Sequence, residues 1–329
     1  MPDWYRSVIK GRIPMDMAEN IYCSLKTGGR RLLGLMLCAL LISGAASAAR
    51  AETYEENAFG FVDAVMDSGD GIPEDAEGRL GRIREVGVLR VATEPYFVPQ
   101  EYIDPSLSGQ ARFVGADMDL ARMIAGRMGV ELEIVPMKFT QVLPSLALGD
   151  CDLAISALAY TPGRASQYTL SRGYHFSEET ESSGILIREE DREMIRSLED
   201  LAGRDLAAQR GSLQESLLAE RVTDYRQFRR LLSVREVYLA LQRGKADAAM
   251  VDIDSAQAYI DSNPCCGLML VEDLRFGMAE GYTGDRIAAR KGETQLIAFV
   301  NDIIREVVDS GQYARWYRQH ALNADWLGL

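Results

Sequence analysis

Residues 146–156 read Leu-Ala-Leu-Gly-Asp-Cys-Asp-Leu-Ala-Ile-Ser, and residues 241–251 read Leu-Gln-Arg-Gly-Lys-Ala-Asp-Ala-Ala-Met-Val. In each, a helical pattern stops at a glycine (Gly149, Gly244), an aspartate follows three residues later (Asp152, Asp247), and an apolar strand begins. Glycine suits the left-handed residue that closes a helix. The change from helical spacing to a short apolar run marks a helix feeding a buried strand. Two units that close in the same way predict two similar α/β lobes. Just past the first strand stands Arg164, and at the end of the second stands Asp252. A cation in one lobe and an anion in the other suit a zwitterion held between them.

The same grammar extends in both directions. Val88 to Thr93 is rich in β-formers and reads as the first strand. Leu120, Ala121, Ile124, Ala125 and Met128 recur at helical spacing, with Gly129 as the stop. Val130, Leu132 and Ile134 alternate with Glu131 and Glu133, which predicts a half-exposed strand. Helix follows over Phe139 to Leu148. In the second half, Asp205 to Gln209 reads as a strand and Ser212 to Glu220 as a helix. Ser233 with Glu236 forms a capping box opening another helix. Ile287 to Arg290, a long amphipathic helix around Ile297 to Val307, and a last helix carrying Tyr313, Trp316 and Tyr317 complete the chain. Strands alternating with helices predict mixed, mainly parallel sheets in two Rossmann-like lobes.

The chain has 329 residues, 47% of them apolar, which is globular composition and room for two domains. Arg30 and Arg31 precede an apolar run, Leu32 to Ile42, and then small residues, so residues 1–51 read as a signal peptide that directs secretion to the periplasm. The run is shorter than the roughly 20 residues of a spanning helix. Residues 52–79 read as an acidic extension. Seven of the 36 Lys and Arg and three of the 49 Asp and Glu precede residue 52, which leaves 29 against 46 and a net charge of −17. A body so acidic repels nucleic acid and anionic membranes. Cys151, Cys265 and Cys266 remain beyond the signal, an odd number with no Cys-x-x-Cys pair, so neither metal nor redox cofactor is expected. With only His175 and His320, no Gly-x-Ser-x-Gly elbow and no phosphate loop, catalytic and cofactor sites are not expected.

Ligands of open parallel sheets gather beyond the C-terminal strand ends. Four segments qualify: Glu94 to Pro99, Ser156 to Arg164, Gln209 to Ser212, and Asp252 to Ser255. This layout resembles periplasmic solute-binding proteins of family 3, which serve transporters of polar amino acids. The likeness runs from about Leu80 to Tyr317. It rests on G-V-L-R-V-A-T-E-P-Y-F-V-P, F-V-G-A-D-M-D-L-A, the span from Gly149 through L-A-Y-T-P-G-R to Gln167, R-G-K-A-D-A-A-M-V-D and S-G-Q-Y-A-R-W-Y.

The resemblance implies lobe 1 over 80–182 and 284–329, lobe 2 over 183–283, and hinge crossings near Glu181–Ser183 and Gly281–Asp285. It implies that Arg164 clamps an α-carboxylate and Asp252 accepts an α-ammonium. Phe97 would pack on the ligand, Ser156 and the Ala157 backbone would add polar contacts, Gly211 and Ser212 would offer helix N-terminal amides, and Glu94 would sit near the ligand side chain. A monomer handing an amino acid to an ABC-type permease follows. Two departures stand out: Ala159 where Ser or Thr is common, and Leu213 where a second hydroxyl is frequent. Two other functions compete: a sensing or accessory binding module, and an enzyme like cyclohexadienyl dehydratase. The enzyme needs a carboxylic acid close after Asp252, where this chain has Asp254 and then Ser255.

Overall fold

The structure, a computed structural model, describes residues 71–176, 181–277 and 283–322. The predicted signal peptide, most of the predicted extension, and Gly281 of the second expected crossing lie outside them. In chain order the elements are α1 (Gly78–Val86), β1 (Val88–Thr93), β2 (Tyr96–Phe97), β3 (Glu101–Ile103), β4 (Phe113–Val114), α2 (Ala116–Met128), β5 (Glu131–Pro136), α3 (Phe139–Leu148), β6 (Leu153–Ala159), α4 (Pro162–Gln167) and β7 (Tyr168–His175). There follow β8 (Ser183–Arg188), β9 (Asp205–Gln209), α5 (Leu213–Arg221), β10 (Gln227–Leu231), α6 (Val234–Gln242), β11 (Ala248–Asp252), α7 (Ile253–Ser262) and β12 (Leu268–Phe276). The chain then returns through β13 (Asp285–Arg290), α8 (Thr294–Asp309) and α9 (Gln312–Leu322).

Two five-stranded sheets carry the fold, in the orders β5-β1-β6-β13-β7 and β10-β9-β11-β8-β12. In each, the first three strands pair in parallel and the last two antiparallel. The sheets are thus mixed, with the parallel set confined to one half of each. The antiparallel set contains the strands that carry the chain between lobes, because a strand entering from the other lobe runs against its neighbours. A small sheet, β2-β3-β4, sits beside the first lobe.

Each sheet is covered on both faces. Leu89, Val91, Leu153 and Ile155 pack with Leu120, Ile124, Val300, Ile304 and Trp316, while Ala92, Ala154 and Leu158 on the opposite face meet Val142 and Leu146 of α3. In the second lobe Leu186, Ala249 and Val251 face Val237, Leu241 and Tyr259, and their alternates Ile185, Leu206 and Met250 face Leu218. Successive strand residues point to opposite faces, so burial on both explains the near-continuous apolar runs. Ile72 is buried with the first core, so the body includes residues before Leu80, where the sequence placed its start.

The repeated motif has a structural reason. Gly149 and Gly244 adopt left-handed φ of 83° and 62°. Asp152 then donates its N–H to Arg90 O and accepts the Arg90 N–H on Oδ2 at 2.7 Å, locking β6 onto β1. Asp247 does the same to Asp205, accepting its N–H at 2.9 Å and joining β11 to β9. Each aspartate is a register clamp between two parallel strands. Each also has a guanidinium partner, Arg79 at 2.5 Å and Arg188 at 3.3 Å.

Candidate functional site

Arg164 lies in the first turn of α4. Thr161 caps that helix, its Oγ1 accepting the Arg164 N–H at 3.1 Å, and Pro162 presets the first turn. The side chain therefore leaves a fixed backbone. Its Nη1 donates to Ala159 O at 2.7 Å in its own lobe, and its Nη2 donates to Gly211 O at 3.1 Å in the other. Burial lowers its pKa to about 10, against the pull of Asp285, so it stays charged at neutral pH.

Asp252 ends β11 and caps α7, Oδ1 accepting the Ser255 N–H at 2.9 Å. Burial pushes its carboxyl up to about 8, with Asp254 and Asp285 adding repulsion and backbone amides opposing. Arg164 and Asp252 line one cavity of about 420 Å³ between the lobes. That volume falls in the range of small-molecule sites.

Glu94, Phe97, Ser156, Ala157 and Ser212 line the same cavity. Glu94 is 2% exposed. Its Oε2 accepts from Gln209 Nε2 of the other lobe at 3.3 Å, while Oε1 is buried without a partner. Burial pushes its carboxyl up to about 8. Phe97 also packs against the second lobe's core around Tyr238 and Tyr259, so its ring spans the lobes.

Four expectations need correction in detail. Gly211 does not line the cavity; its N–H turns back to Glu215 Oε2 at 2.6 Å, and only its carbonyl reaches Arg164. The Ser212 amide, expected to face the ligand, donates to Gln209 O at 3.2 Å, and its hydroxyl caps α5, accepting from Glu215 N and donating to Gln209 O. Leu213 and Gln214 line the cavity beside Ser212 at this helix end. Ser156 Oγ accepts from Glu94 N at 3.1 Å and donates to Glu101 Oε1 at 2.9 Å, so it is a strut between two acids. Ala157 N–H donates to Asp117 Oδ2 at 3.0 Å, which leaves only its carbonyl for a ligand.

Asp117 holds that corner in place. It is fully buried and also accepts from the hydroxyls of Tyr174 at 2.8 Å and Tyr313 at 2.6 Å. Ala157 has φ of 44°, a left-handed conformation costly for a residue with a Cβ. The Asp117 carboxylate is what fixes it. Glu101 lies beneath the site with Oε2 buried without a partner, and burial, then Asp117's charge, raise its pKa well above the usual range against the Ser156 hydrogen bond.

The sequence reading did not place Glu101, His175, Asp285 or Tyr317 at the site, yet all line the cavity, as does Asp254 of the fourth expected segment. His175 stacks on Tyr317 with ring centroids 4.4 Å apart, and burial lowers its pKa, so it is a neutral wall. Asp285 was legible only as the end of a crossing. Counting lining residues, five carboxyl groups (Glu94, Glu101, Asp252, Asp254, Asp285) face one guanidinium. Among the described residues no group of His, Cys, Asp and Glu has the geometry to hold a metal ion, and no helix is long and apolar enough to cross a membrane.

Residues 89–323 match the family model of bacterial extracellular solute-binding proteins, family 3. The chain is 27% identical over 227 residues to the arginine-binding extracellular protein of Bacillus subtilis, spanning 68% of this chain and 82% of that one. It is similar in structure to an amino acid ABC transporter substrate-binding protein of Streptococcus pneumoniae bound to L-arginine, with a TM-score of 0.67, 30% identity, and coverage of 74% of this chain and 98% of that one. It is also similar to an ancestral amino acid-binding protein described as a precursor of cyclohexadienyl dehydratase, with a TM-score of 0.64, 25% identity, and coverage of 74% and 99%.

Proposed function

The chain belongs to the bacterial extracellular solute-binding proteins, family 3, and from that premise we propose that it captures an amino acid with a cationic side chain and delivers it to an ABC permease. One observation carries this: a guanidinium of lobe 1 and a carboxylate of lobe 2 line one cavity whose other charged groups are acids. Arg164 receives the α-carboxylate, because a planar fork pairs with a carboxylate through two parallel bonds. Asp252 receives the α-ammonium. Glu94, one oxygen steadied by Gln209 and the other unsatisfied, receives the side-chain cation. An unpaired buried acceptor costs about 1–3 kcal/mol, which a ligand donor recovers. The relatives with arginine in their names agree with such a ligand.

Closure is part of the capture. Bonds that cross between lobes, from Arg164 to Gly211 and from Gln209 to Glu94, form only when the lobes meet. A ligand touching both lobes favours that state, since it binds the closed form better than the open one. Residues 1–51, as a signal peptide, would take the protein to the periplasm.

Calorimetry with L-arginine, L-lysine, L-histidine and L-glutamate tests this. Tight binding of a basic amino acid and none of glutamate is expected; the reverse order would refute the assignment. Asp254 in the cavity wall keeps the dehydratase alternative concrete. Turnover of prephenate or arogenate, read by ultraviolet absorbance, would replace capture with catalysis.

A further inference from the structure

We propose that Asp285 is a second seat for the ligand's ammonium, so that the amine is shared between Asp252 of lobe 2 and the first residue of the strand by which the chain re-enters lobe 1. This rests on the amino-acid reading above. Asp285 opens β13, where it lies in register with Ala159 on one side and His175 on the other. Ala159 is the residue whose carbonyl holds Arg164, so the Asp285 carboxylate starts beside the carboxylate clamp. Gln100 Nε2 fixes its Oδ2 at 2.7 Å. Asp285 lines the cavity.

Asp285 is among the charges acting on Asp252, and Arg164 and Asp285 act on each other. The groups surrounding the pair are Glu94 and Glu101 from the β1–β3 side, Asp117 of α2, Arg164 of α4, Tyr174 and His175 of β7, Asp254 of α7, Arg286 of β13, and Tyr313 and Tyr317 of α9. Buried carboxylates that line one cavity repel, and a cation bound among them favours their charged forms. An ammonium brings three N–H donors on one atom. Ala159 has no hydroxyl to accept one of them, and its strand neighbour Asp285 supplies a charged acceptor at the same level of the sheet.

A consequence follows for protons. In the empty site burial pushes Asp285 up to about 7 and Asp252 to about 8. A bound ammonium favours both charged forms, so binding near pH 7 releases protons, and affinity rises as pH climbs from 6 to 8. An amine held by Asp252 alone would release fewer.

The test is calorimetry at pH 7, in two buffers of different ionisation enthalpy, on the wild type and Asp285→Asn. The probes are L-arginine and its des-amino analogue, 5-guanidinopentanoate. Should another of the twenty amino acids bind tighter, it and its des-amino acid replace them. The expected result is a loss of about 10- to 100-fold for L-arginine in the variant, as for one charged hydrogen bond. The analogue should hold within threefold, and proton release should shrink. Equal losses for both probes mean a structural role and overturn the assignment, as does unchanged arginine affinity. If that variant does not fold, Asp285→Glu, which keeps the charge and moves the carboxylate, decides: weaker L-arginine with the analogue spared supports the assignment, and equal effects on the two probes overturn it. A wild type that binds no amino acid overturns the reading of the cleft itself, a result distinguishable from all the others.

Discussion

Replacing Arg164 by alanine removes the cation that the whole site is arranged around. The structure allows the loss to be sized. Its guanidinium donates to Ala159 O and Gly211 O, lies 5.7 Å from the Phe139 ring centroid, and faces the cavity. Truncating one member of a buried, hydrogen-bonded charge pair costs about 2–5 kcal/mol of binding. The bond to Gly211 is exposed, which places Arg164 near the rim and favours the lower half of that range. A loss of about 2–3 kcal/mol corresponds to roughly 30- to 150-fold in Kd. Calorimetry with L-arginine measures it, and stopped-flow displacement should show most of the change in the off-rate, since the bond across the lobes also goes. Arg164→Lys keeps the charge and loses the fork, so it should recover only part of the affinity. Agmatine, which lacks the carboxylate, should lose less than L-arginine, because only the bond across the lobes is removed for it. A folded Arg164→Ala protein that binds L-arginine within threefold of wild type would show that the carboxylate is held elsewhere.

Three further outcomes are expected. Asp117→Asn should destabilise the protein by about 2–4 kcal/mol, because Ala157 N–H and two tyrosine hydroxyls lose a charged acceptor; a melting temperature equal to wild type counts against the clamp. Glu94→Gln should weaken L-arginine about tenfold or more and spare L-glutamine, measured by competitive calorimetry; equal losses for the two would sink the side-chain role. Glu94, Asp252 and Asp285 have folded pKa values raised by burial to about 8, 8 and 7 from ordinary values of 4.5, 3.8 and 3.8. The folded state therefore binds more protons than the unfolded one over that interval, and stability falls as pH rises through it. Thermal melts from pH 5 to 8 should show the ligand-free protein losing stability and saturating L-arginine flattening the slope; a ligand-free melt that rises over the range contradicts the buried acids.

Much of the architecture was legible because its signals are local. Gly149 and Gly244 stop helices through backbone conformation, and the apolar stripes of α2 and α8 record which face each helix buries. The strands missed were β2, β3, β4, β7, β8, β10 and β12. In β8, Ser-Gly-Ile-Leu-Ile-Arg is buried on both faces, so no alternation marks it, and its antiparallel place between β11 and β12 is set by partners far along the chain. The site divides likewise. Arg164 and Asp252 sit at strand ends, where the fold class alone directs attention. Glu101 follows β2 in a short sheet with no pattern of its own, and Asp285 differs in sequence from no solvated aspartate.

The sequence alone determined the two-lobed α/β plan, the parallel halves of the sheets and the opposed charges at the mouths of their strands. Periodicity, helix stops and strand-end position are properties of neighbouring residues. Only the tertiary structure decided which polar groups remain free for a ligand. Ser156, Ser212, Gly211 and the Ala157 amide look available in sequence and are consumed by Glu101, Glu215 and Asp117 once the chain is folded. A hydrogen bond needs geometry within a few tenths of an ångström, and burial sets a carboxyl's charge by removing water. Both are settled by residues that meet from distant parts of the chain.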